Sequence, residues 1–295
     1  MQSKPTRIGL IAGWGDFPVR VAESLRDQGH EVYCMAIKGH ADPVLEEICV
    51  STKWIGIGSI GRCVRFCRKH QVQNATMAGK VHKVKIFDRY VFWNHCPDWL
   101  TLRTFFSHMF GTADCKDDTL LLKVVNTFAS QGVTLLPATD FSPELLVKDG
   151  QLSGKPLTKK QQLDVAFGWN LAKQMGGLDV GQSVIVKTQT AIAIEAVEGT
   201  DECIKRAGQL CSSGNMTLVK VSKPKQDMRF DVPTIGLGTV ESMHAAGIKT
   251  LVIESGLTII VDEQAVIKFA NKHGMTIIAT SEACIEQFTG ITKAA

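Results

Sequence analysis

A charged stretch at residues 220–236 carries the side chains that a phosphate site needs. Cationic side chains bind phosphate oxygens, and carboxylates bind a divalent metal or orient a water molecule. Within this stretch the chain has four cations and two carboxylates: Lys220, Lys223, Lys225, Arg229, Asp227 and Asp231. Composition alone also fits a solvated charged loop, so both interpretations stay open at this point.

Local signals predict that the charged part of this stretch is a loop between two fixed ends. Residues 216–221 are rich in strand-forming side chains and predict a strand. Pro224 ends that strand because proline has no backbone N–H to donate. Pro233 and Gly236 mark the other end, and anchored loops are where functional residues concentrate.

Bulk composition excludes some classes of protein. The chain has 295 residues, 44% hydrophobic and 21% charged, which is typical of a packed protein with one large or two ordinary domains. A net charge of +4 is too small to indicate nucleic-acid binding, although it suits an anionic substrate or an anionic membrane surface. No apolar run reaches the roughly 20 residues that a membrane span needs, and the first residues lack a signal peptide's apolar core.

The nine cysteines are odd in number and scattered, which does not resemble a disulfide framework. Cys63 and Cys67 lie four apart and would share a helix face, but a zinc site needs two more ligands and none stands out. We therefore predict buried thiols in a reducing cytoplasm.

The first part of the chain predicts an α/β fold with a parallel sheet. Residues 7–11 form an apolar strand, Asp16 can cap a helix that runs to about residue 28, and residues 31–37 form the next strand. This βαβ order requires parallel strands. A further helix at 59–70 and a strand at 74–78 continue the pattern.

Glycines follow the first strand at Gly13 and Gly15. Their turn can simply be tight, or its backbone amides can contact part of a nucleotide. It departs from the dinucleotide fingerprint, because Pro18 stands where a third glycine is expected and no acidic residue follows near Ile37. Both departures argue against a nicotinamide cofactor, and a nicotinamide titration would test the remaining interpretation, an NAD-dependent oxidoreductase.

Three further positions before residue 150 are candidates for chemistry. Lys80 follows the strand at 74–78, and ligands bind at the carboxyl ends of such strands, so it is a candidate phosphate contact or an ordinary surface lysine. Asp117 and Asp118 begin a helix that runs to about residue 131, where one of them serves as a cap. Residues 86–110 are rich in aromatics, which suits core packing or an apolar chamber.

The pattern changes between residues 140 and 165, and we predict domains at 1–150 and 151–295. Thr158 and Gln161 form a capping-box pattern for a helix that ends near residue 177. Strands at 183–187 and 191–195 flank a hairpin turn that contains Thr188. A helix capped by Thr200 or Asp201 follows, and its N-terminus is a second candidate anion site. The remaining pattern predicts helices at 239–246 and 263–273 and strands at 251–253, 257–261 and 276–279.

The sequence resembles the LpxI family, the UDP-2,3-diacylglucosamine pyrophosphatases of lipid A biosynthesis, over nearly its whole length. The resemblance is carried by six motifs: Ile8-Gly-Leu-Ile-Ala-Gly-Trp-Gly-Asp-Phe-Pro18, Ala78-Gly-Lys-Val81, Asp117-Asp-Thr-Leu-Leu121, Asp179-Val-Gly-Gln-Ser183, Ala193-Ile-Glu-Ala-Val-Glu-Gly-Thr-Asp201 and Arg229-Phe-Asp-Val-Pro-Thr-Ile-Gly236. The last two are the most specific, since they are long and fix glycine and charge in order, and the final one also contains proline.

The resemblance implies a Rossmann-like N-terminal domain, a distinct α/β C-terminal catalytic domain and a homodimer. It implies an acylated UDP-sugar held between the domains and hydrolysed to UMP and the diacylated sugar 1-phosphate with Mg²⁺ or another divalent cation. Such a substrate suits a cytoplasmic protein attached peripherally to the inner membrane. The family's essential aspartate falls in the Arg-apolar-Asp-apolar-Pro motif, which here gives Asp231.

Chemistry and position suggest roles for the other candidates. Arg229 joins Asp231 as catalytic, and the expected metal ligands are Asp231, Asp227, Asp117 and Asp118. The expected substrate-binding residues are Gly13, Gly15, Lys80, Gln182, Thr188, Gly199, Thr200, Lys223 and Gln226. The sequence departs from the family that it resembles at this position, since the resemblance implies asparagine after Ala-Gly where this chain has Lys80. The alternative is a non-catalytic nucleotide-sugar or lipid-binding regulator, which would bind a UDP-sugar without releasing UMP.

Overall fold

The structure is a computed structural model that describes residues 6–81, 97–109 and 117–289. The chain divides into two compact units, of which the first comprises Met1–Pro143 and Asp227–Phe230 and the second comprises Glu144–Gln226 and Asp231–Ala295. Independent folding of 1–150 and 151–295 stays a prediction.

The first unit contains the predicted parallel sheet. Five parallel strands have the order β3-β2-β1-β4-β5. Its strands are β1 (Arg7–Ala12), β2 (Glu31–Ile37), β3 (Ser51–Ile55), β4 (Asn74–Ala78) and β5 (Thr134–Leu135), and its helices are α1 (Phe17–Asp27), α2 (Leu45–Ile48), α3 (Ile60–Lys69), α4 (Trp99–Met109), α5 (Asp117–Ser130) and α6 (Ala138–Phe141).

One face of this sheet packs against α3 and α5. Met35 and Ala75 from the sheet, Cys67 from α3 and Phe128 from α5 are buried in one cluster. Burying large apolar side chains of this kind stabilises a fold by about 1.5–3 kcal/mol each. The cluster fixes the strands whose carboxyl ends carry the glycine turn and Lys80.

The second unit is a sheet with helices on both faces. Six strands have the order β6-β13-β11-β9-β7-β8, parallel in the centre and antiparallel at both edges. A 3₁₀ turn at Pro143–Leu145 precedes it. Its strands are β6 (Gly150–Ser153), β7 (Ser183–Lys187), β8 (Thr190–Ile194), β9 (Met216–Lys220), β10 (Thr234–Ile235), β11 (Ile248–Glu254), β12 (Ile259–Ile260) and β13 (Thr276–Thr280), and its helices are α7 (Lys159–Gly177), α8 (Thr200–Leu210), α9 (Leu237–Ala245), α10 (Glu263–Lys272) and α11 (Glu282–Thr289). β10 and β12 pair separately from the larger sheet.

Alternation along the central strands explains the three layers of the second unit. Leu218 of β9 faces a cluster with α8, α9 and α10, whereas its neighbour Val219 faces a cluster with α7 and α11. Successive strand residues point to opposite faces, so a strand buried on both sides is apolar at every position.

Two predicted helix caps are corrected by the structure. Asp16 occupies the N-cap of α1 but makes no side-chain cap hydrogen bond. Gly199, rather than Thr200 or Asp201, occupies the N-cap of α8. The capping box of Thr158 and Gln161 at α7 is confirmed.

The described cysteines are free thiols. Five of the seven are buried, as expected, and Cys34, Cys49, Cys63, Cys67 and Cys203 form that set. Cys96 and Cys115 lie outside the described residues, as do residues 86–96 and 110 of the aromatic stretch. Within the described part of the chain, no helix is both long enough and apolar enough to cross a membrane.

Candidate functional site

The glycine turn of the first unit is tied to the segment after β4. Gly13 donates to the carbonyl of Ala78 at 2.8 Å, and Trp14 and Lys80 exchange backbone hydrogen bonds at 2.8 and 3.0 Å. A Cβ on Gly13 would lie 2.7 Å from the Lys80 carbonyl oxygen, so only glycine allows this approach. Gly15 has φ +102° and open space beside it. The turn is therefore tight, and nucleotide contact by it stays a prediction.

Lys80 lies at the carboxyl edge of the first unit's sheet. It is exposed, and its backbone partner Trp14 keeps 49% of its surface exposed. This is the edge at which parallel sheets bind ligands. This position suits a phosphate contact by Lys80, and that role stays a prediction.

Polar side chains gather at the corresponding edge of the second unit's sheet. Lys220 ends β9, Glu254 ends β11, Glu195 follows β8, and Ser183 begins the antiparallel β7 opposite Lys220. All four are at least 90% buried. Buried charges are costly unless they are paired and hydrogen-bonded, so this cluster must be internally satisfied.

The Thr200 hydroxyl links two members of this cluster. It donates to Glu195 Oε1 at 2.8 Å and accepts from Lys220 Nζ at 3.0 Å. Ser183 Oγ lies 3.4 Å from the same hydroxyl. Thr200 is the first residue of α8, and its hydroxyl is used within this cluster.

Gln182 adjoins the cluster with one amide atom unused. Its backbone N–H points to Glu195 Oε2 at 3.4 Å, and its carbonyl accepts from Val221 at 3.0 Å. Its side-chain Oε1 is buried and has no hydrogen-bond partner among the described residues. A buried acceptor left unsatisfied costs about 1–3 kcal/mol, so this atom suits a donor from a ligand.

The charged loop predicted after β9 is confirmed at residues 221–233, which lack regular structure. Lys223 Nζ lies 2.8 Å from Asp179 Oδ1 and 3.8 Å from Asp231 Oδ2. Gln226 accepts the Lys223 backbone N–H at 2.7 Å and donates to both the carboxylate and the carbonyl of Asp231. The structure thus brings together three of the predicted residues, Lys223, Gln226 and Asp231.

A buried ion pair anchors the start of this loop. Glu254 Oε2 accepts the Ser222 backbone N–H at 2.7 Å. Lys173 Nζ lies 2.7 and 2.8 Å from the two Glu254 oxygens and donates to the Ser222 carbonyl at 3.1 Å. Both backbone groups of Ser222 are therefore held by the pair.

Asp227 and Arg229 pair with each other inside the four-residue segment that belongs to the first unit. Arg229 Nε donates to Asp227 Oδ1 at 2.8 Å, and its Nη2 contacts Oδ2. Hydrogen bonds from this guanidinium hold the pKa of Asp227 below its ordinary value, and the same bonds raise the pKa of Arg229. A phosphate reaching Arg229 would therefore compete with an ionised carboxylate.

Comparison with known proteins assigns the chain. Residues 7–145 match the LpxI N-terminal domain and residues 148–278 match the LpxI C-terminal domain. The chain belongs to the LpxI family. A curated relative, the UDP-2,3-diacylglucosamine pyrophosphatase LpxI of Caulobacter vibrioides, is 30% identical over 279 residues, covering 92% of this chain and 96% of the relative.

Similarity to solved structures is much weaker than this family match. A Campylobacter jejuni biotin carboxylase in complex with a β,γ-ATP ligand has 10% identity and a TM-score of 0.27, and covers 70% of this chain. A Hydrogenobacter thermophilus biotin carboxylase domain with MgADP has 8% identity and a TM-score of 0.27, and covers 72%. The chain spans 42% of each of those proteins.

One predicted member of the LpxI site lies apart from the rest of its unit's candidates. Thr188 occupies the hairpin turn with φ +47°, where Asp164 Oδ2 accepts its backbone N–H at 3.1 Å. Gln182 lies before the opposite end of β7, about 20 Å away at the usual rise per strand residue. The structure therefore does not bring Thr188 together with Gln182 and Thr200.

The described side chains do not form a complete metal site by themselves. No three histidine, cysteine or acidic residues are grouped in the described part of the chain. Asp117 and Asp118 begin α5, but their side chains lie outside what the structure describes. Magnesium commonly takes one or two carboxylates plus phosphate oxygens and waters, so a cation here would need substrate oxygens as ligands.

Sequence reasoning missed three residues that hold this LpxI-family site together. Asp179 pairs with Lys223, and Lys173 and Glu254 fix Ser222. Asp179 had a signal, since it opens the motif that contains Gln182. Lys173 and Glu254 had none, because they are 81 residues apart and meet only in the fold.

Proposed function

We propose that this chain hydrolyses the pyrophosphate of UDP-2,3-diacylglucosamine to UMP and 2,3-diacylglucosamine 1-phosphate. The reaction adds the oxygen of one water to a phosphorus and breaks a bridging P–O bond, with protons released to solvent. A relative that carries this activity in its name is similar over 92% of the chain. The structural observation that best supports this proposal is the loop that holds Lys223, Gln226 and Asp231 together beside a buried polar cluster.

Each group in this arrangement suits a step that pyrophosphate hydrolysis requires. The chemistry depends mainly on stabilising charge and on positioning water. In our proposal Asp231 orients the water or contributes a carboxylate to a divalent cation. Lys223 and Arg229 bind diphosphate oxygens, which must compete with Asp179 and Asp227 for the two cations.

Other candidate residues would hold the remainder of the substrate. The buried Oε1 of Gln182 would accept a hydrogen bond from the substrate. The N-terminus of α8, which has Gly199 at its N-cap and begins at Thr200, would offer backbone N–H groups to an anionic part of the substrate. In the first unit Lys80 would offer an exposed ammonium group to the substrate, and Gly13 and Gly15 would shape the turn beside it.

A direct assay tests the proposal. Purified protein is incubated with the diacylated UDP-sugar, with and without magnesium, and UMP is measured. We expect UMP from the wild-type protein and UMP release lowered by about 100-fold or more from Asp231→Ala. Folded wild-type protein that binds the UDP-sugar in magnesium without releasing UMP would instead favour a non-catalytic regulator.

We further propose that catalysis uses Mg²⁺ or another divalent cation, and that the protein is a homodimer attached peripherally to the cytoplasmic face of the inner membrane. A cation would neutralise the diphosphate, and a substrate with two acyl chains resides in a bilayer. Three experiments test these statements separately. Loss of UMP release on adding a chelator tests the need for a divalent cation, sedimentation analysis tests the homodimer, and flotation with anionic vesicles tests the membrane attachment.

A further inference from the structure

The side chain of Gln226 is used on both of its polar atoms. Its Oε1 accepts the backbone N–H of Lys223 at 2.7 Å. Its Nε2 donates to Asp231 Oδ2 and to the Asp231 carbonyl oxygen. An amide nitrogen carries two hydrogens, so these contacts use both of its donors.

These contacts close a short segment of the chain at its base. Gln226 and Asp231 belong to the second unit, whereas Asp227–Phe230 between them belongs to the first. The bonds from Gln226 span these four residues and fix the point at which the backbone returns at Asp231. The same side chain also fixes Lys223, whose ammonium lies 3.8 Å from the Asp231 carboxylate.

Only an amide of this length satisfies both ends. A carboxylate in its place accepts from Lys223 but cannot donate to Asp231, and a thioether makes neither bond well. The Asp231 side chain is 35% exposed, so packing alone leaves its rotamer weakly restrained. Hydrogen bonds from a fixed neighbour restrict a catalytic side chain to a narrow range of orientations.

We propose that Gln226 is a positioning residue that holds the Asp231 carboxylate in the orientation in which it binds the attacking water or a divalent cation, and that Gln226 is not itself a substrate contact. This inference rests on the proposed hydrolase function. It changes the substrate-binding role that the sequence suggests for Gln226, because the amide's donors are already used within the loop.

Steady-state kinetics of two variants provide the first test. Gln226→Glu keeps the acceptor for Lys223 and loses both donors, whereas Gln226→Met loses all three bonds. We expect kcat to fall by about 10–100-fold in both, the range for a misplaced catalytic group, with KM within about twofold of wild type. Gln209→Glu, an exposed position on α8, adds the same charge and should leave kcat unchanged. Wild-type kcat in Gln226→Glu, or a raised KM with normal kcat, overturns the proposal.

Substrate binding in an inactive background separates positioning from contact. The diacylated UDP-sugar is titrated into Asp231→Ala and into Asp231→Ala with Gln226→Met. A positioning residue predicts equal affinity, because its target carboxylate is already absent. Weaker binding by fivefold or more in the double variant would make Gln226 a substrate contact and overturn the proposal.

A measurement without substrate tests the positioning role of Gln226 separately from the proposed hydrolase function. Hydrogen exchange at the Lys223 amide should remain slow in Gln226→Glu and become fast in Gln226→Met, since only the first keeps the acceptor. This pattern is expected even if the wild-type protein releases no UMP, which would refute the hydrolase function alone. Fast exchange in wild type, or equal exchange in both variants, removes the geometry on which positioning rests.

Discussion

Asp231 combines partial exposure with several neighbours that orient it. Its carboxylate accepts from Gln226 and lies 3.8 Å from the Lys223 ammonium. Exposed or half-exposed ion pairs contribute little to stability, usually below about 1 kcal/mol. The residue can therefore serve chemistry without being essential to the fold.

Asp231→Ala is expected to separate catalysis from folding. We predict a loss of UMP release of about 100–10,000-fold, the range for removal of a positioned proton-transfer group. The melting temperature should stay near that of wild type, and the UDP-sugar should still bind, since Lys223 and Arg229 remain. Calorimetry and ligand titration provide the control, and normal turnover by folded Asp231→Ala protein would remove the assignment.

Lys173 and Glu254 form a different kind of ion pair. Their side chains are 19% and 8% exposed, and the pair holds both backbone groups of Ser222. Removing one partner of a buried pair leaves an uncompensated charge. Lys205 and Glu202 on α8 offer a matched exposed pair, at 60% and 59%.

Replacing each lysine by methionine should give very different losses of stability. Lys173→Met is expected to lower the free energy of unfolding by about 3–5 kcal/mol. Lys205→Met should change it far less, because its exposed ion pair is screened by solvent. Urea denaturation measures both. Equal losses would mean that the Lys173–Glu254 pair does not stabilise the start of the loop.

The sequence predicted the residues of this site that share a short segment, and not those that meet across the fold. Lys223, Gln226 and Asp231 lie within nine positions, where charge, proline and glycine mark an anchored loop. Lys173 sits inside a long helix and Glu254 ends a strand, and each looks like an ordinary charged residue in its own context. Tertiary contact alone gives them a role.

Among the elements, strands bounded by turn signals were predicted well, whereas the edge strands β3 and β6 were missed. The bounds predicted for β2 and β4 match the structure at both ends. β3 was missed because only Ile55 of its five residues is buried, so no apolar pattern marks it. β6 contains glycine, glutamine and serine and forms through pairing with β13, which sequence propensity does not report.

The N-terminus of α3 depends on groups from a neighbouring helix. Ser59 at its N-cap makes no side-chain cap hydrogen bond. Instead Asp98 Oδ2 accepts the Arg62 N–H at 2.9 Å, while Asp98 Oδ1 accepts the Thr101 N–H of α4 at 3.0 Å. One carboxylate thus serves two helix N-termini.

Asp98→Ala is expected to destabilise the first unit by about 1–4 kcal/mol, the sum of two helix caps. Asp98→Asn keeps an oxygen acceptor and should cost less. Denaturation at neutral pH measures both, with exposed Asp27→Asn on α1 as a control. A loss no larger than that of Asp27→Asn would contradict the double cap.

The contribution of the Asp98 charge to the free energy of unfolding should also depend on pH. Partial burial would raise the pKa of Asp98, but hydrogen bonds from Thr101, Gly61 and Arg62 outweigh it and lower the pKa. A carboxyl with a depressed folded pKa stabilises fully above its unfolded value of about 3.9 and loses that contribution as pH falls through the folded value. The stability difference between wild type and Asp98→Asn should therefore be constant above about pH 5 and shrink in acid.

At the scale of the whole molecule, each unit has a core of its own. Phe128 is 1% exposed in the cluster of the first unit, and Leu218 is fully buried in the second. The return of Asp227–Phe230 to the first unit has no signal in the sequence, because it depends on contacts between distant parts of the chain. Proteins with separate cores commonly unfold in more than one transition.

Truncating one core at a time tests whether the two units unfold separately. Phe128→Ala is expected to cost about 3–5 kcal/mol and Leu218→Ala about 2–5 kcal/mol, since each removes buried contacts and leaves a cavity. If the cores are independent, each substitution lowers the midpoint of one urea transition and leaves the other in place. Hydrogen exchange of amides in β2 and β11 assigns each transition to its unit. A single transition lowered by both substitutions would instead show that the two units unfold as one cooperative structure.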